Sequence, residues 1–306
     1  MAEQGILVTG AGGFVGRYLC RLLGDMGMSV YGVVRKQHQP VEAGPYKTIF
    51  YELGNGINVN DIMYLYGRVN CIVHLAANID ISAANKVLLK DNVVSVQEIL
   101  KLAECLNIQK IIYMSSTGFY DSSLAMDINE SSQILCKSFY HVTKYLGETI
   151  FCSSMKRFKY GGKYVIFRLS SPIGVGMRMD RFLPVVIYRI LGNKNVILLG
   201  KGTRVQNYID VRDVANAISM AIQKNISGIY NLVSSMSYSK YEVAKICCNL
   251  IGGKSKICFM GDDIHENERW IFDSRKLNHE MGFSCKYSIL DTIEWMISDY
   301  VNSNLQ

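Results

Sequence analysis

Tyr140 and Lys144 are the residues of this sequence whose types and spacing point most directly to chemistry. On a helix, a separation of four residues places the phenol and the ammonium group on one face, with about 5–6 Å between the Cβ atoms. A free tyrosine has a pKa of about 10, and lowering it to ~7 takes on the order of 4 kcal/mol of differential stabilisation. A neighbouring lysine cation, together with the positive charge of an oxidised nicotinamide, supplies stabilisation of this kind. The pair therefore predicts an acid–base tyrosine and a lysine that also holds the nicotinamide ribose.

Ser116 is the third candidate catalytic residue. It follows a predicted strand, Lys110–Met114, that stops at Ser115-Ser116-Thr117. In parallel α/β sheets, ligands bind beyond the carboxyl ends of the strands, and a hydroxyl there can stabilise charge that develops on a substrate oxygen. A Tyr-x-x-x-Lys pair by itself is most often a chance pattern on a surface helix, so the prediction depends on the rest of the chain.

A glycine-rich segment near the N-terminus, Val8–Gly16, has the pattern of a nucleotide-binding turn. It joins a short apolar run, Ile6-Leu7-Val8, to a segment with helical apolar spacing, Phe14–Met26. Strand, glycine turn and helix in this order cradle a pyrophosphate, because the glycines permit close backbone approach and the helix N-terminus offers free N–H groups. The residues predicted to bind the dinucleotide are Gly10, Gly12, Gly13, Phe14, Val15 and Gly16.

Two further strand ends indicate how a dinucleotide would be held. The predicted second strand, Ser29–Val34, ends at Arg35 and Lys36. An arginine at this position accommodates the 2′-phosphate of NADP, whereas an acidic residue binds the free 2′-hydroxyl of NAD. We therefore expect NADP, with NAD as the alternative, although a solvent-facing basic turn would explain the same residues without a ligand. The predicted fourth strand, Cys71–Leu75, runs into Ala76-Ala77, whose small side chains leave room for a cofactor.

The composition is that of a globular protein with reduced cysteines. Of 306 residues, 49% are apolar and 19% are charged, which excludes a disordered chain. No apolar run approaches the ~18 residues of a membrane span and no secretory leader precedes the first strand, so we expect a cytoplasmic protein without membrane contact. The nine cysteines lack a C-x-x-C motif, which favours free thiols and no metal site. The net charge of +7 comes from dispersed basic residues and predicts no nucleic-acid partner.

Strands and helices alternate over the first ~170 residues, which predicts an α/β fold with a doubly wound parallel Rossmann sheet. The remaining predicted elements of this part are strands 47–53, 110–114 and 164–169 and the long helices 87–106 and 139–155.

After Pro172 the pattern becomes discontinuous, and later segments resemble a return to the main sheet. These are strand 208–211 with helix 215–222, and strand 229–233. We therefore expect a dinucleotide-binding domain of residues 1–171 and 206–235. The smaller C-terminal substrate lobe would comprise residues 172–205 and 236–306.

The chain resembles the extended short-chain dehydrogenase/reductases, in particular the nucleotide-sugar epimerase/dehydratase/reductase family. The resemblance runs to about residue 300 and rests on Thr9–Gly16, His74–Ala77, Asn92, Ser115–Tyr120, Tyr140 with Lys144, and Asn207–Val214. It implies that Tyr140 is the acid–base, Lys144 its partner and Ser116 the assisting hydroxyl, with Thr117 a less favoured substitute. It also implies cofactor contacts from Leu75, Ala76, Ala77, Asn92, Ser115 and Pro172.

Departures from the resembled family guide the expected reaction. Sugar 4,6-dehydratases carry Thr-Asp-Glu where this chain has Ser116-Thr117-Gly118, so dehydration is not expected. Enzymes like the GDP-fucose synthases have a cysteine at the position of Gly118, so their added proton chemistry is not expected either. UDP-hexose 4-epimerases usually have an acidic or neutral residue where this chain has Arg35-Lys36. We therefore expect an NADPH-dependent reductase of a nucleotide-linked keto-(deoxy)sugar. The alternatives are an NAD-dependent UDP-hexose 4-epimerase and, less favoured, a non-sugar ketoreductase or a non-catalytic cofactor sensor.

The substrate side matches the family less completely. The family's asparagine after the sixth strand is replaced by Ser171, and its arginine before the Asn207–Val214 segment by Gln206. The residues expected to contact the nucleotide-sugar are Thr117, Ser171, Gln206, Arg178 and Arg204, with Arg181 and Arg269 as further candidates for its phosphate. Surface arginines are common, so none of these is singled out by type alone.

The helices 87–106 and 139–155 offer broad faces on one side of the predicted sheet. Members of the resembled family dimerise there through a four-helix bundle, so we expect a homodimer. Two helices that simply pack on the sheet would give the same pattern.

Overall fold

The structure is a computed structural model that describes residues 5–35, 46–56, 59–123, 127–156 and 162–303. In these residues the central sheet has seven parallel strands. They are Gly5–Thr9 (β1), Val30–Val34 (β2), Lys47–Phe50 (β3), Val69–His74 (β4), Lys110–Ser116 (β5), Lys163–Leu169 (β6) and, later in the chain, Gly228–Leu232 (β10). Their order is β10-β6-β5-β4-β1-β2-β3. The reversal of strand order beside β1 is that of a doubly wound sheet, so the predicted α/β Rossmann fold is confirmed.

Helices cover both faces of this sheet, which is why its inner strands are apolar along their whole length. Every residue of β1 and β2 is buried. The helices are Phe14–Asp25 (α1), Asn85–Leu89 (α2), Ser95–Cys105 (α3), Phe139–Met155 (α4), Phe182–Leu191 (α5), Val211–Gln223 (α6), Lys240–Ile251 (α7), Arg275–Met281 (α8) and Ile289–Ser303 (α9). Helices α1 and α6 bury Leu19, Leu23 and Ile218 against one face. Helices α3 and α4 bury Ile99 and Phe151 against the other.

The predicted helix 87–106 is helical from Asn85 to Cys105, but it is not uniform. Between α2 and α3 the segment Lys90–Val94 has π-helical hydrogen bonding. Apolar periodicity does not report this change, because one wider turn leaves the buried face almost in place. Such turns are common at functional sites, and this one carries Asn92.

A smaller lobe packs beside the carboxyl ends of the main strands. It has a three-stranded sheet of Ser171–Ile173 (β7), Val205–Asp210 (β9) and Ser237–Ser239 (β11), and a parallel pair of Val196–Leu199 (β8) and Ile257–Met260 (β12). Helices α5, α7 and α9 enclose its core, which includes Leu183, Val243 and Ile293.

Two element predictions need correction. Strand 47–53 ends at Phe50, because the chain turns through Gly54, whose φ is +91°. Strand 208–211 begins at Val205 and belongs to the small sheet, whereas α6 and β10 pack with the main sheet as expected. The division into two domains stays a prediction.

None of the described helices is long and apolar enough to cross a membrane. The described residues also contain no cluster of three or more histidine, cysteine or acidic side chains that could hold a metal. All nine cysteines lie in described segments, and each is a free thiol.

Candidate active site

The turn between β1 and α1 is shaped by contacts that only glycine allows. Gly10 has a φ of +70°, a left-handed conformation that favours glycine. A Cβ at Gly16 would lie 2.1 Å from the carbonyl oxygen of Gly10, so α1 packs directly on the turn. At Gly12 a Cβ would meet only the Val34 side chain, at 3.6 Å. Gly12 and Gly13 are exposed toward a cleft, which leaves the backbone open to a phosphate.

A cleft of 580 Å³ opens at the carboxyl ends of β1, β2 and β4. Its walls include the glycine turn, Arg35 and the segment from Leu75 to Asp80. Over the described residues, no side chain caps the N-terminus of α1, so its first N–H groups are available to an anion. The volume, the small side chains of Ala76-Ala77 and this free helix end fit a dinucleotide.

Charged side chains of both signs line the cleft. Arg35 is exposed there, as recognition of a 2′-phosphate requires, and Lys36 lies outside the described residues. Arg178, predicted to bind a substrate phosphate, also lines this cleft and contacts Asp180 at 2.5 Å. Asp80 is held ionised: the hydroxyl of Ser82 donates to its carboxylate and keeps the pKa of Asp80 below its usual range. This lining is compatible with NAD and with NADP.

Tyr140 stands in the first turn of α4, where Ser138 caps the helix by accepting a hydrogen bond from the backbone of His141. Tyr140 is half-buried, and its hydroxyl is hydrogen-bonded with the Ser116 side chain. Burial raises the pKa of Tyr140 to about 12, while the Ser116 hydrogen bond and the charge of Arg181 act in the opposite direction. The protein alone therefore keeps Tyr140 as a neutral phenol. It does not by itself produce the decrease toward ~7 that the spacing with Lys144 led us to expect.

Lys144 lies one turn further along the same helix and is almost completely buried. Its Nζ donates to the carbonyl oxygen of Met114 at 2.6 Å and lies 4.6 Å from the centre of the Tyr113 ring. Burial lowers the pKa of Lys144 to about 7, and the carboxylate of Glu148 opposes that decrease. The ammonium group is thus held against β5, on the helix face that also carries Tyr140.

A buried ion pair between Arg168 and Glu148 lies one helical turn beyond Lys144 on α4. Nε of Arg168 donates to the two carboxylate oxygens of Glu148 at 3.1 and 3.2 Å, and both side chains are over nine-tenths buried. The hydroxyl of Ser115 donates to the same carboxylate at 2.8 Å. Ser115, predicted to contact the cofactor, therefore directs its hydroxyl toward α4. These contacts fix α4 on β5 and β6, and with it the position of Tyr140.

Asn92, also predicted to contact the cofactor, is buried and bonded to protein groups. Its Oδ1 accepts from the backbone N–H of Asn78 at 2.7 Å. Its Nδ2 donates to the backbone carbonyl of Asn78 and to the hydroxyl of Thr143, both at 3.0 Å. Because Asn78 lines the cleft and Thr143 precedes Lys144, this side chain ties the cleft to the helix that carries the candidate catalytic residues.

The other predicted cofactor residues occupy different surroundings. Phe14 and Val15 begin α1, where Val15 packs on the main core and Phe14 meets the ring of Tyr18 edge-on. Pro172 lies in β7, in register with Ile209.

The residues predicted to contact substrate are not gathered at one point. Thr117 is buried and donates to a backbone carbonyl of β6 at 3.2 Å. Gln206 donates to the hydroxyl of Ser171 at 2.8 Å, across neighbouring strands β9 and β7. Arg204 is paired with Glu268 at 2.7 Å, so part of its charge is already neutralised.

Sequence patterns gave no indication of two groups at the start of α4. Glu268 is a nearly buried carboxylate that contacts Lys137 and His265 at 3.0 Å, in addition to Arg204. The imidazole of His141 packs against Gly118. The contacts of Glu268 with Lys137 and of His141 with Gly118 join segments far apart in the chain, so spacing carries no signal for them.

The doubly wound sheet, the glycine turn and the Ser116, Tyr140 and Lys144 set define an extended short-chain dehydrogenase/reductase, an NAD(P)-dependent enzyme. The chain belongs to the NAD dependent epimerase/dehydratase family, whose model matches residues 6–232.

Individual relatives are distant but cover nearly the whole chain. A UDP-glucose 4-epimerase of Halalkalibacterium halodurans is 24% identical, over 94% of this chain and 92% of that protein. A dTDP-D-glucose 4,6-dehydratase of Mus musculus is 24% identical, over 97% and 90%. The crystal structure of a UDP-glucose 4-epimerase from Thermotoga maritima with UDP-glucose superposes with a TM-score of 0.88 at 20% identity, over 99% of this chain and all of that one.

Proposed function

We propose that this protein is a nucleotide-sugar 4-epimerase of the UDP-hexose type that works with a tightly held NAD. The observation that carries the proposal is the hydrogen bond between Tyr140 and Ser116. Tyr140 lies one helical turn from the buried Lys144. Asn92 links their helix to a cleft whose size and lining fit a dinucleotide. The similarity to the Halalkalibacterium halodurans UDP-glucose 4-epimerase supports the same reaction. The comparisons favour this alternative over the reductase that the sequence alone led us to expect.

In the proposed reaction Tyr140 exchanges a proton with the sugar hydroxyl. The chemistry that bound NAD would supply is the reversible removal of a hydride from the carbon that bears this hydroxyl. Tyr140 takes the hydroxyl proton as a phenolate and returns it as a neutral phenol, the form that its raised pKa favours. Ser116, bonded to the same phenol, stabilises charge on the substrate oxygen. Because the pKa of Lys144 is about 7, its side chain can carry, near neutral pH, the positive charge that favours the phenolate.

Elimination of water is not proposed, although a sugar 4,6-dehydratase is among the relatives. The segment Ser116-Thr117-Gly118 contains no acidic residue. The hydroxyl of Thr117 is bonded to the backbone of β6, and Gly118 offers no side chain. The strand end therefore lacks the acid that dehydration needs at this place.

An NADPH-dependent keto-sugar reductase is the second candidate, because Arg35 opens onto the cleft at the end of β2. There it is placed to recognise a 2′-phosphate. Under this candidate the same Tyr140, Ser116 and Lys144 would act in one direction only, and added NADPH would be consumed.

We further propose that the protein is a homodimer. On α2, the π turn and α4, six apolar or aromatic side chains are 36–39% exposed: Val87, Leu89, Val94, Val142, Tyr145 and Leu146. A second copy would cover them, and Leu146→Glu should then yield monomers in light scattering. Monomeric wild-type protein would exclude the dimer. We also propose a cytoplasmic location, which the free thiols support.

The experiment that tests the function uses purified protein with UDP-glucose and UDP-galactose. We expect interconversion without added cofactor. Tyr140→Phe should reduce kcat about 10²- to 10⁴-fold while leaving cofactor binding nearly unchanged. Tyr188→Phe, at an exposed tyrosine of α5, is the matched control. If Tyr140→Phe kept most of its rate, the assignment of the acid–base would be wrong.

A further inference from the structure

We propose that His141 binds a sugar hydroxyl other than the one that exchanges its proton with Tyr140, and that it thereby helps to select the substrate. This inference rests on the proposed function, because it requires a sugar in the site. It assigns a role to a side chain that the reaction described above does not use.

The imidazole of His141 lies just beyond the end of β5, where a side chain at position 118 would project. A Cβ built at Gly118 would be 2.3 Å from Nε2 and 2.9 Å from Cδ2, so the ring requires glycine at that position. The backbone N–H of Gly118 donates to the Ser116 hydroxyl at 3.0 Å. The centres of the Tyr140 and His141 rings are 5.4 Å apart. His141 therefore borders the same space as the Ser116 and Tyr140 pair.

The protein does not satisfy the hydrogen-bonding capacity of this ring. Nδ1 is buried and has no hydrogen-bond partner among the described residues. An unpaired buried nitrogen destabilises the folded state, and folded proteins rarely keep one without a functional reason. The residue as a whole is only half-buried, so part of it remains open to solvent.

The surroundings of His141 select a hydroxyl rather than a phosphate as its partner. Burial lowers the pKa of His141, the carboxylate of Glu268 opposes this, and the charge of Lys137 adds to it. Tyr140, the other titratable group against the ring, is a neutral phenol. A neutral imidazole has one donor and one acceptor, as a sugar hydroxyl does, whereas a phosphate binds best to a cation.

If the role of His141 were purely structural, its ring would only fill the space over Gly118. Two variants distinguish this role from the binding of a sugar hydroxyl. His141→Phe keeps a ring of similar size but removes both nitrogens. His141→Gln keeps a donor and an acceptor on a shorter group. His279→Phe, which makes the same change at an exposed histidine of α8, is the control. If His141→Phe does not fold, Gly118→Ala displaces the ring from the other side through the 2.3 Å contact.

The experiment measures the affinity of each protein for UDP-glucose and for its 2-, 3- and 6-deoxy analogues by calorimetry. For His141→Phe we expect a loss of roughly 10- to 100-fold with UDP-glucose and no loss with the one analogue that lacks the recognised hydroxyl. His141→Gln should recover part of the loss. Equal losses with every ligand, or no loss with any, would overturn the proposal.

The same experiment separates this inference from the proposed function. If wild-type protein binds UDP-glucose without converting it to UDP-galactose, the epimerase proposal fails, and the comparison of affinities still decides the role of His141. If wild-type protein binds no UDP-sugar, both proposals fail.

Discussion

Replacement of Lys144 by methionine should make the protein more stable and less active. Burial lowers the pKa of Lys144 from its ordinary 10.5 to about 7. A difference of this size between the folded and unfolded states costs about 5 kcal/mol of stability below pH 7. The variant also loses the hydrogen bond to Met114, so we expect a net gain of roughly 3–4 kcal/mol in the free energy of unfolding near pH 6.5.

This gain should shrink as the pH rises. Because the folded-state pKa lies below the unfolded-state value, the unfolded chain binds more protons between pH 7 and 10.5. Wild-type stability therefore increases with pH over that window, and a rise of about two pH units above 7 removes about 2–3 kcal/mol of the variant's advantage. Urea unfolding at several pH values, with the dinucleotide removed so that ligand binding does not contribute, measures the difference.

Lys101→Met is the control for the loss of one positive charge, since Lys101 is exposed on α3. It should neither stabilise the protein nor reduce turnover, whereas Lys144→Met should abolish most activity. The reasoning would be wrong if Lys144→Met were less stable than wild type at neutral pH, or if the difference in their free energies of unfolding did not change with pH. Burial would then not be what lowers the pKa of Lys144.

Two further perturbations test the frame around the site. Glu148→Gln leaves Arg168 buried without its carboxylate and should cost about 3 kcal/mol in urea unfolding, whereas Asp180→Asn, in an exposed pair, should leave the unfolding midpoint unchanged. An equal effect of the two variants would contradict the importance of burial. Gly16→Ala should lower the yield of folded protein, because the added Cβ would clash with the backbone of the turn. Gly12→Ala should fold normally. In a titration it should bind the dinucleotide about tenfold more weakly, a difference of about 1.4 kcal/mol. Normal folding of Gly16→Ala would show that the backbone of the turn can shift to accommodate a Cβ.

The sheet and the glycine turn could be predicted because their signals are local. Buried parallel strands give continuous apolar runs, such as β1 and β2, and the turn from Gly10 to Gly16 requires glycine for reasons that spacing reveals. The spacing of Tyr140 and Lys144 likewise placed both side chains on one helix face. These predictions need only the periodicity of a single element.

What the sequence could not predict depends on contacts between distant segments. The hydroxyl of Ser115 reaches Glu148, and Asn92 spans from Asn78 to Thr143, although both residues were expected to face the cofactor. The direction of the Tyr140 pKa follows from burial, which helical spacing does not report. The contact of His141 with Gly118 arises only when α4 docks on the end of β5.

Transfer of deuterium tests the central claim most directly. UDP-galactose deuterated at carbon 4 is incubated with the purified protein without added cofactor, and the UDP-glucose that forms is analysed by mass spectrometry and NMR. An epimerase that keeps its NAD holds the deuterium as deuteride on the cofactor and returns it to carbon 4 of the product. Loss of the label, or no formation of UDP-glucose, would contradict the account, and consumption of NADPH by the same protein with a nucleotide-linked keto-sugar would then favour the reductase.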